Sequence, residues 1–208
     1  MRDVVLLHGL WMPGAVMAPL AWRLGNRGYR THVFAYKGRQ ASIEVHAEDL
    51  ARFASKSANG ASVHFVGHSM GGLVVLAALE AAHALKAARI VLLGTPASGC
   101  MAARRLASVA PGRWLLGASQ PLWLDGRLPH WRAQAPVGVI AGGTPSFGFG
   151  RLLGPLPGVN DGVVRLDETE VIGMADRVVV PVGHTELIFA ARVEALAAQF
   201  LAHGSFKR

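Results

Sequence analysis

Cysteine is nearly missing from this 208-residue sequence: Cys100 stands alone. Neither an intrachain disulfide nor a cysteine-based zinc cluster can form, and nothing points to an oxidising compartment. The thiol reads as a small buried hydrophobe. No apolar run approaches the ~20 residues of a membrane span. A signal-peptide hydrophobic region is missing too, because Met1-Arg2-Asp3 leads only into Val4 to Leu7. The expected location is therefore cytoplasmic. Acidic residues are scarce, 13 against 21 Lys and Arg, for a formal net charge of +8. The deficit is concentrated in residues 81–160, where Asp125 is the sole acid. That excess suits an anionic partner such as a phospholipid surface or an acidic carrier protein, or it reflects an arginine-rich composition that only solubilises. No basic run and no nucleic-acid motif is present, so a nucleic-acid partner is not expected.

What is present is apolar residue in quantity, 51% of the chain, enough at this length to bury a sizeable core and to exclude intrinsic disorder. No repeat, low-complexity tail or linker interrupts it, so one domain over residues 1–208 is expected. Short β-rich runs alternate with helix-like stretches, the pattern of a parallel sheet covered by helices on both faces. The strand candidates are Val4–Leu7, Thr31–Ala35, Ser62–Val66, Ile90–Leu93, Val137–Ala141 and Arg177–Val180. Their near-continuous hydrophobicity predicts strands buried on both faces. Helices are predicted at Ala15–Asn26, Ile43–Ser57, Met70–Leu85 and Glu186–Ala202; in the second, Ile43, Ala47, Leu50, Ala51 and Ala54 share one face.

One connection is out of scale. About 40 residues, Gly94 to Pro136, separate the fourth and fifth strand candidates, far more than a usual connection. This insertion, at about residues 95–135, carries Trp114, Trp123 and Trp131 with Arg104, Arg105, Arg113, Arg127 and Arg132. It reads either as a lid or pocket wall with a basic rim, or as surface helices whose tryptophans pack onto the sheet. Gly142 to Gly162, rich in Gly and Pro, is predicted as loop.

The sharpest motif is Gly67-His68-Ser69-Met70-Gly71-Gly72, a G-x-S-x-G placed where a buried strand ends and an Ala/Leu-rich helix begins. A turn this tight holds the serine in a strained conformation, and glycines two residues either side remove the Cβ atoms that would clash. The hydroxyl then projects at a helix N-terminus, whose partial positive charge favours an oxyanion. A serine hydroxyl is a poor nucleophile and needs a base that is itself oriented by an acid. On such a fold the chain order is Ser, acid, His. Of the histidines after Ser69, His83 lies in the following helix, His130 precedes the fifth strand and His203 sits at the C-terminus. His184, in a loop just past the last strand candidate, can reach the serine's edge of the sheet. The acid candidate is Asp161 in the turn-forming Asn160-Asp161-Gly162. Asp167, Glu168 and Glu170 are expected to face solvent. Two backbone N–H donors must hold the oxyanion, one from Met70 and one from the loop Leu7-His8-Gly9-Leu10-Trp11, where Leu10 is the choice. Gly9 permits close approach, and His8 is expected to orient the loop.

With these residues in place the sequence resembles an α/β-hydrolase, and specifically the small bacterial lipases and carboxylesterases. The resemblance spans most of residues 3–203. Its motifs are Leu6-Leu7-His8-Gly9, the nucleophile elbow Gly67-His68-Ser69-Met70-Gly71-Gly72, Gly94-Thr95-Pro96, and Asn160-Asp161-Gly162-Val163-Val164 with His184. It implies a minimal α/β fold of about six parallel strands flanked by helices, with a short lid-like insertion. It further implies Ser69 as nucleophile, Asp161 as acid, His184 as base and the Leu10 and Met70 amides as oxyanion hole. The reaction implied is hydrolysis of an acyl ester through an acyl-enzyme, without metal or cofactor. Ala97-Ser98-Gly99 stands where many lipases continue Gly-Thr-Pro with His, and the two strands that usually precede the oxyanion loop in larger members are not seen. An intracellular esterase for short or medium acyl esters is the expectation; hydrolysis of a thioester on an acyl carrier, or a catalytically silent binding module, are the alternatives.

Overall fold

A computed structural model describes residues 2–82, 84–124, 129, 135–145 and 154–207. His83, His130, Trp131, Arg127 and Arg132, and residues 146–153 of the Gly/Pro-rich stretch, lie outside the described residues. Six strands form one sheet: β1 (Arg2–Leu7), β2 (Tyr29–Phe34), β3 (Val63–His68), β4 (Ala87–Leu93), β5 (Val137–Gly142) and β6 (Asp176–Val180). All pair in parallel, in the order β2-β1-β3-β4-β5-β6. Each expected strand is found, longer or shifted by a residue or two. The six parallel strands with helices on both faces are the expected α/β-hydrolase arrangement.

Because side chains alternate across a strand, each central strand feeds two cores. Val5 and Leu7 of β1, Phe65 of β3 and Ile90 and Leu92 of β4 pack on one side, with helices α2 (Ile43–Ser57) and α3 (Met70–Ala81). Val4 and Leu6, Val66, and Val91 and Leu93 pack on the other, with α1 (Ala18–Asn26) and α7 (Ala191–His203). Residues 70–76 of α3 are all buried, which is why that helix is apolar all round while α2 is amphipathic.

Three helix boundaries differ from expectation. Gly14–Met17 forms a 3-10 turn before α1, whose first turn carries Pro19. The chain leaves α3 at Ala82 (φ −108°, ψ 85°) and a turn drops Leu85 into the core. Thr185–Ile188 is a separate 3-10 turn in which Glu186 accepts a hydrogen bond from the Gly183 amide, and extended Ala190 separates it from α7.

The insertion between β4 and β5 contains α4 (Met101–Ala107), α5 (Ala110–Leu116) and α6 (Gln120–Leu124). These pack against the core of α2 and α3 through Leu106, Leu116, Leu122 and Trp123. Its two described tryptophans divide between the two expectations. Trp123 is buried, whereas Trp114 lies 71% exposed beneath the Arg39 guanidinium. No helix among the described residues is long and apolar enough to cross a membrane.

The chain runs from β1 outward to β2 and returns to β3 on the far side of β1. The loops after β1 and β3 therefore diverge and leave a crevice at the carboxyl ends of those strands, where ligands bind in open α/β sheets.

The sheet's back face depends on Phe200, fully buried with its ring where a Cβ on Gly138 would approach to 2.6 Å. Phe200→Ala is expected to lower unfolding free energy by about 3–5 kcal/mol, read from urea denaturation.

Candidate active site

Ser69 lies between β3 and α3 at φ 54°, ψ −125°, a conformation a non-glycine residue rarely adopts. Packing enforces it. A Cβ on Gly67 would stand 2.5 Å from the Gly72 Cα, and one on Gly71 would stand 2.5 Å from the His8 carbonyl oxygen. The Ser69 amide donates to the Leu93 carbonyl at 2.9 Å, tying the turn to β4. Met70 opens α3, so its amide is among those a helix cannot satisfy internally.

Asp161 is almost wholly buried, with both carboxylate oxygens occupied. Oδ1 accepts the amides of Val163 and Val164 at 3.0 and 2.7 Å, and Oδ2 accepts from His184 Nδ1 at 2.7 Å. Burial works to raise its pKa, yet the His184 imidazole and the two amides outweigh it and hold the carboxyl below its ordinary 3.8. Asn160 Oδ1 accepts the Gly162 amide, closing the turn that lifts the carboxylate. The His184 amide also donates to the Asp161 carbonyl at 3.0 Å. A bond from Nδ1–H to a carboxylate leaves Nε2 of His184 as the acceptor on the other side of the ring.

Ser69, His184, Asp161, Leu10, Met70 and His68 line one cavity of about 150 Å³. The predicted residues thus converge, although Ser69 and His184 stand 115 positions apart in sequence. Gly9 brings the β1 loop close, since a Cβ there would lie 3.1 Å from that of Ser69. His8 orients this loop as expected. Its Nδ1–H donates to the Gly9 carbonyl at 2.8 Å and its Nε2 accepts the Tyr36 amide at 3.2 Å. The Tyr36 ring stacks on His8, and its hydroxyl donates to the His8 carbonyl at 3.0 Å. Burial lowers the His8 pKa, favouring the neutral ring these bonds require.

Several residues of the quoted motifs have roles that the sequence alone does not disclose. His68 is fully buried and its Nε2–H donates to the His184 carbonyl at 3.0 Å, bracing the loop that carries the imidazole. Burial pushes its pKa down to about 3, so it is neutral. Gly94 has φ 54°, and a Cβ there would lie 3.1 Å from both Asp161 Oδ2 and His184 Nδ1. Trp11 takes the left-handed conformation beside Leu10 and donates its indole N–H to the Leu115 carbonyl of α5. Glu168 corrects an expectation: it is buried, not solvent-facing. Its carboxylate accepts the Met101 amide at the start of α4 and the Arg165 amide in the loop after Asp161, at 2.5 and 2.9 Å. Two backbone donors without other partners draw it inward, and only its neighbours Asp167 and Glu170 remain exposed. Cys100 is buried as expected, and burial pushes its thiol up to about 12. Among the described residues no group of three or more His, Cys, Asp or Glu is placed to hold a metal ion.

Residues 4–205 match the family model described as the alpha/beta hydrolase family. No curated protein matches the sequence. Among solved structures, the chain is similar to the Bacillus licheniformis lipase BlEst2. Against its propeptide form the TM-score is 0.78 at 20% identity, covering 95% of this chain and 50% of that one. Against the mature form the TM-score is 0.73 at 20% identity, covering 98% and 91%. The chain thus spans about half the length of the propeptide form. A metagenomic carboxyl esterase, MGS0156, gives a TM-score of 0.70 at 20% identity, covering 97% of this chain and 75% of that one. At such identities the likeness extends to the fold alone.

Tyr36→Phe strips the buried His8 carbonyl of its hydroxyl donor. It is expected to destabilise the protein by about 1–3 kcal/mol, read from urea denaturation with far-UV circular dichroism.

Proposed function

The chain belongs to the alpha/beta hydrolase family, and on that premise we propose that it is a serine carboxylic-ester hydrolase for short or medium acyl esters. The observation that carries this reading is the convergence on one cavity of a serine held on a strained turn and a His184–Asp161 pair at 2.7 Å. Ser69 Oγ attacks the ester carbonyl as its proton passes to His184 Nε2. Asp161 holds the imidazole in the Nδ1–H tautomer and stabilises the imidazolium. The Leu10 and Met70 amides donate to the oxyanion, an interaction for which each donor supplies ~3–4 kcal/mol in comparable sites. His184 then returns the proton to the leaving alcohol, and water repeats the sequence on the acyl-enzyme. Residues 1–208 act as one catalytic domain in which the helices after β4 form a wall of the acyl pocket.

A thioester on an acidic acyl carrier is the second reading, favoured by the exposed Arg104 and Arg113 on α4 and α5. Both helices contribute to the cavity wall, through Leu106 and Leu116. A kcat/KM that falls steeply between low and high salt for carrier-bound substrate, but not for a neutral ester, distinguishes it.

For the ester reaction, Ser69→Ala is expected to lower kcat on p-nitrophenyl butyrate by roughly 10⁶-fold and to abolish labelling by a fluorophosphonate. Asp161→Asn is expected to lower kcat by about 10⁴-fold with the label retained more slowly. A wild-type protein that neither turns over esters nor takes the label would sink the reading in favour of a silent binding module.

A further inference from the structure

The cavity that holds Ser69 and His184 is small. At about 150 Å³ it matches the size of an engineered apolar cavity that takes a single benzene, roughly six carbons. Pockets that enclose whole drug-sized ligands run to about 300–1,000 Å³. Among the described residues, its insertion-side wall is made by Ala102, Ala103 and Leu106 of α4, Leu116 of α5 and Trp123 of α6.

Trp123 differs from the other wall residues in how it is held. Its indole N–H donates to Ser119 Oγ at 3.3 Å, and Ser119 Oγ in turn donates to the Leu116 carbonyl at 2.8 Å. Trp123 and Ser119 are both buried, at 5% and 1% exposure. A polar relay inside an apolar wall must keep its partners, since each buried donor or acceptor left unpaired is penalised. Among the described residues of this wall the bulkiest side chain therefore cannot swing aside to admit a longer chain without breaking its buried hydrogen bond to Ser119. A Leu or Met at this position would carry no such constraint.

We propose that Trp123, locked through Ser119 to the Leu116 carbonyl, is the gauge that limits the acyl group to about six carbons. This rests on the ester-hydrolase reading of the same site and sharpens it. The acyl chain fills the cavity, and the alcohol lies outside it. Each methylene that enters improves apolar binding by about fourfold, and the gain stops where the wall is reached.

Two series test this, one with chemistry and one without. The first is kcat/KM for p-nitrophenyl esters from acetate to dodecanoate. The second is calorimetric binding of 2-alkanones, from butanone to 2-decanone, to the Ser69→Ala protein. In both, wild-type Trp123 is expected to give a rise to about six carbons and then a plateau or a fall of tenfold or more. Trp123→Ala is expected to raise the decanoate-to-butyrate ratio of kcat/KM at least tenfold, and Trp123→Phe to give an intermediate ratio. Ser119→Ala, which frees the indole without emptying space, is expected to raise the ratio severalfold. A wild-type profile that climbs through dodecanoate, or a Trp123→Ala ratio unchanged in a cooperatively folded protein, overturns the gauge. If Trp123→Ala fails to fold, Trp123→Phe and the wild-type break at six carbons carry the decision. Ketone binding that levels off at six carbons without any ester hydrolysis supports the gauge while defeating the reaction; hydrolysis with no break does the reverse.

Discussion

The tight turn at Ser69 is the constraint on which the rest of the site depends. A non-glycine residue at φ 54°, ψ −125° is held there only if its surroundings leave no alternative. Here they are supplied from the two strands that flank β3 and the loops that follow them. The β1 loop contributes the His8 carbonyl against Gly71, β4 contributes the Leu93 carbonyl to the Ser69 amide, and Thr95 fills the space that Gly72 leaves open. Because β1 and β3 are neighbours at the reversal of strand order, the same contacts that force the turn also bring Gly9 and Leu10 beside the serine.

The interior of the site is arranged so that charge is confined to one place. His8 and His68 are both buried, and burial favours their neutral forms. Asp161 keeps its charge because two amides and an imidazole surround it, each replacing hydration it has lost. Neutral histidines are used here as directional connectors: His8 joins the Gly9 carbonyl to the Tyr36 amide, and His68 carries the His184 carbonyl. A protonated ring at either position would bring an uncompensated positive charge into a low-dielectric region.

Much of this was legible in the sequence, for identifiable reasons. The four central strands are largely buried on both faces and carry a run-length signature, whereas β2 and β6, at the edges of the sheet, keep exposed residues against the expectation of burial on both faces and are marked by β-rich composition alone. The elbow glycines announce themselves by spacing, and Asp161 and His184 by their place after the serine in a loop and beyond the last strand. The geometry brings these residues to one cavity. Features without a local signal were not legible. Glu168 sits in a polar stretch that reads as surface, and only the fold discloses that two unpartnered amides converge on it. Trp123 and Trp114 look alike in sequence, yet one is walled in and the other stacks under Arg39 in solvent, because their helices are too short to show a periodic face.

Glu168 has a further consequence. One carboxylate spans the first amide of α4 and the loop that positions Asp161, so the part of the chain that shapes the pocket is not an independent module grafted onto a fixed frame. A lineage that lengthened or replaced the helices after β4 would disturb the acid's own turn unless it kept an amide where Met101 now offers one. Variation in what the pocket admits is thereby channelled toward side chains on the existing helices, and away from insertion or deletion at the start of α4.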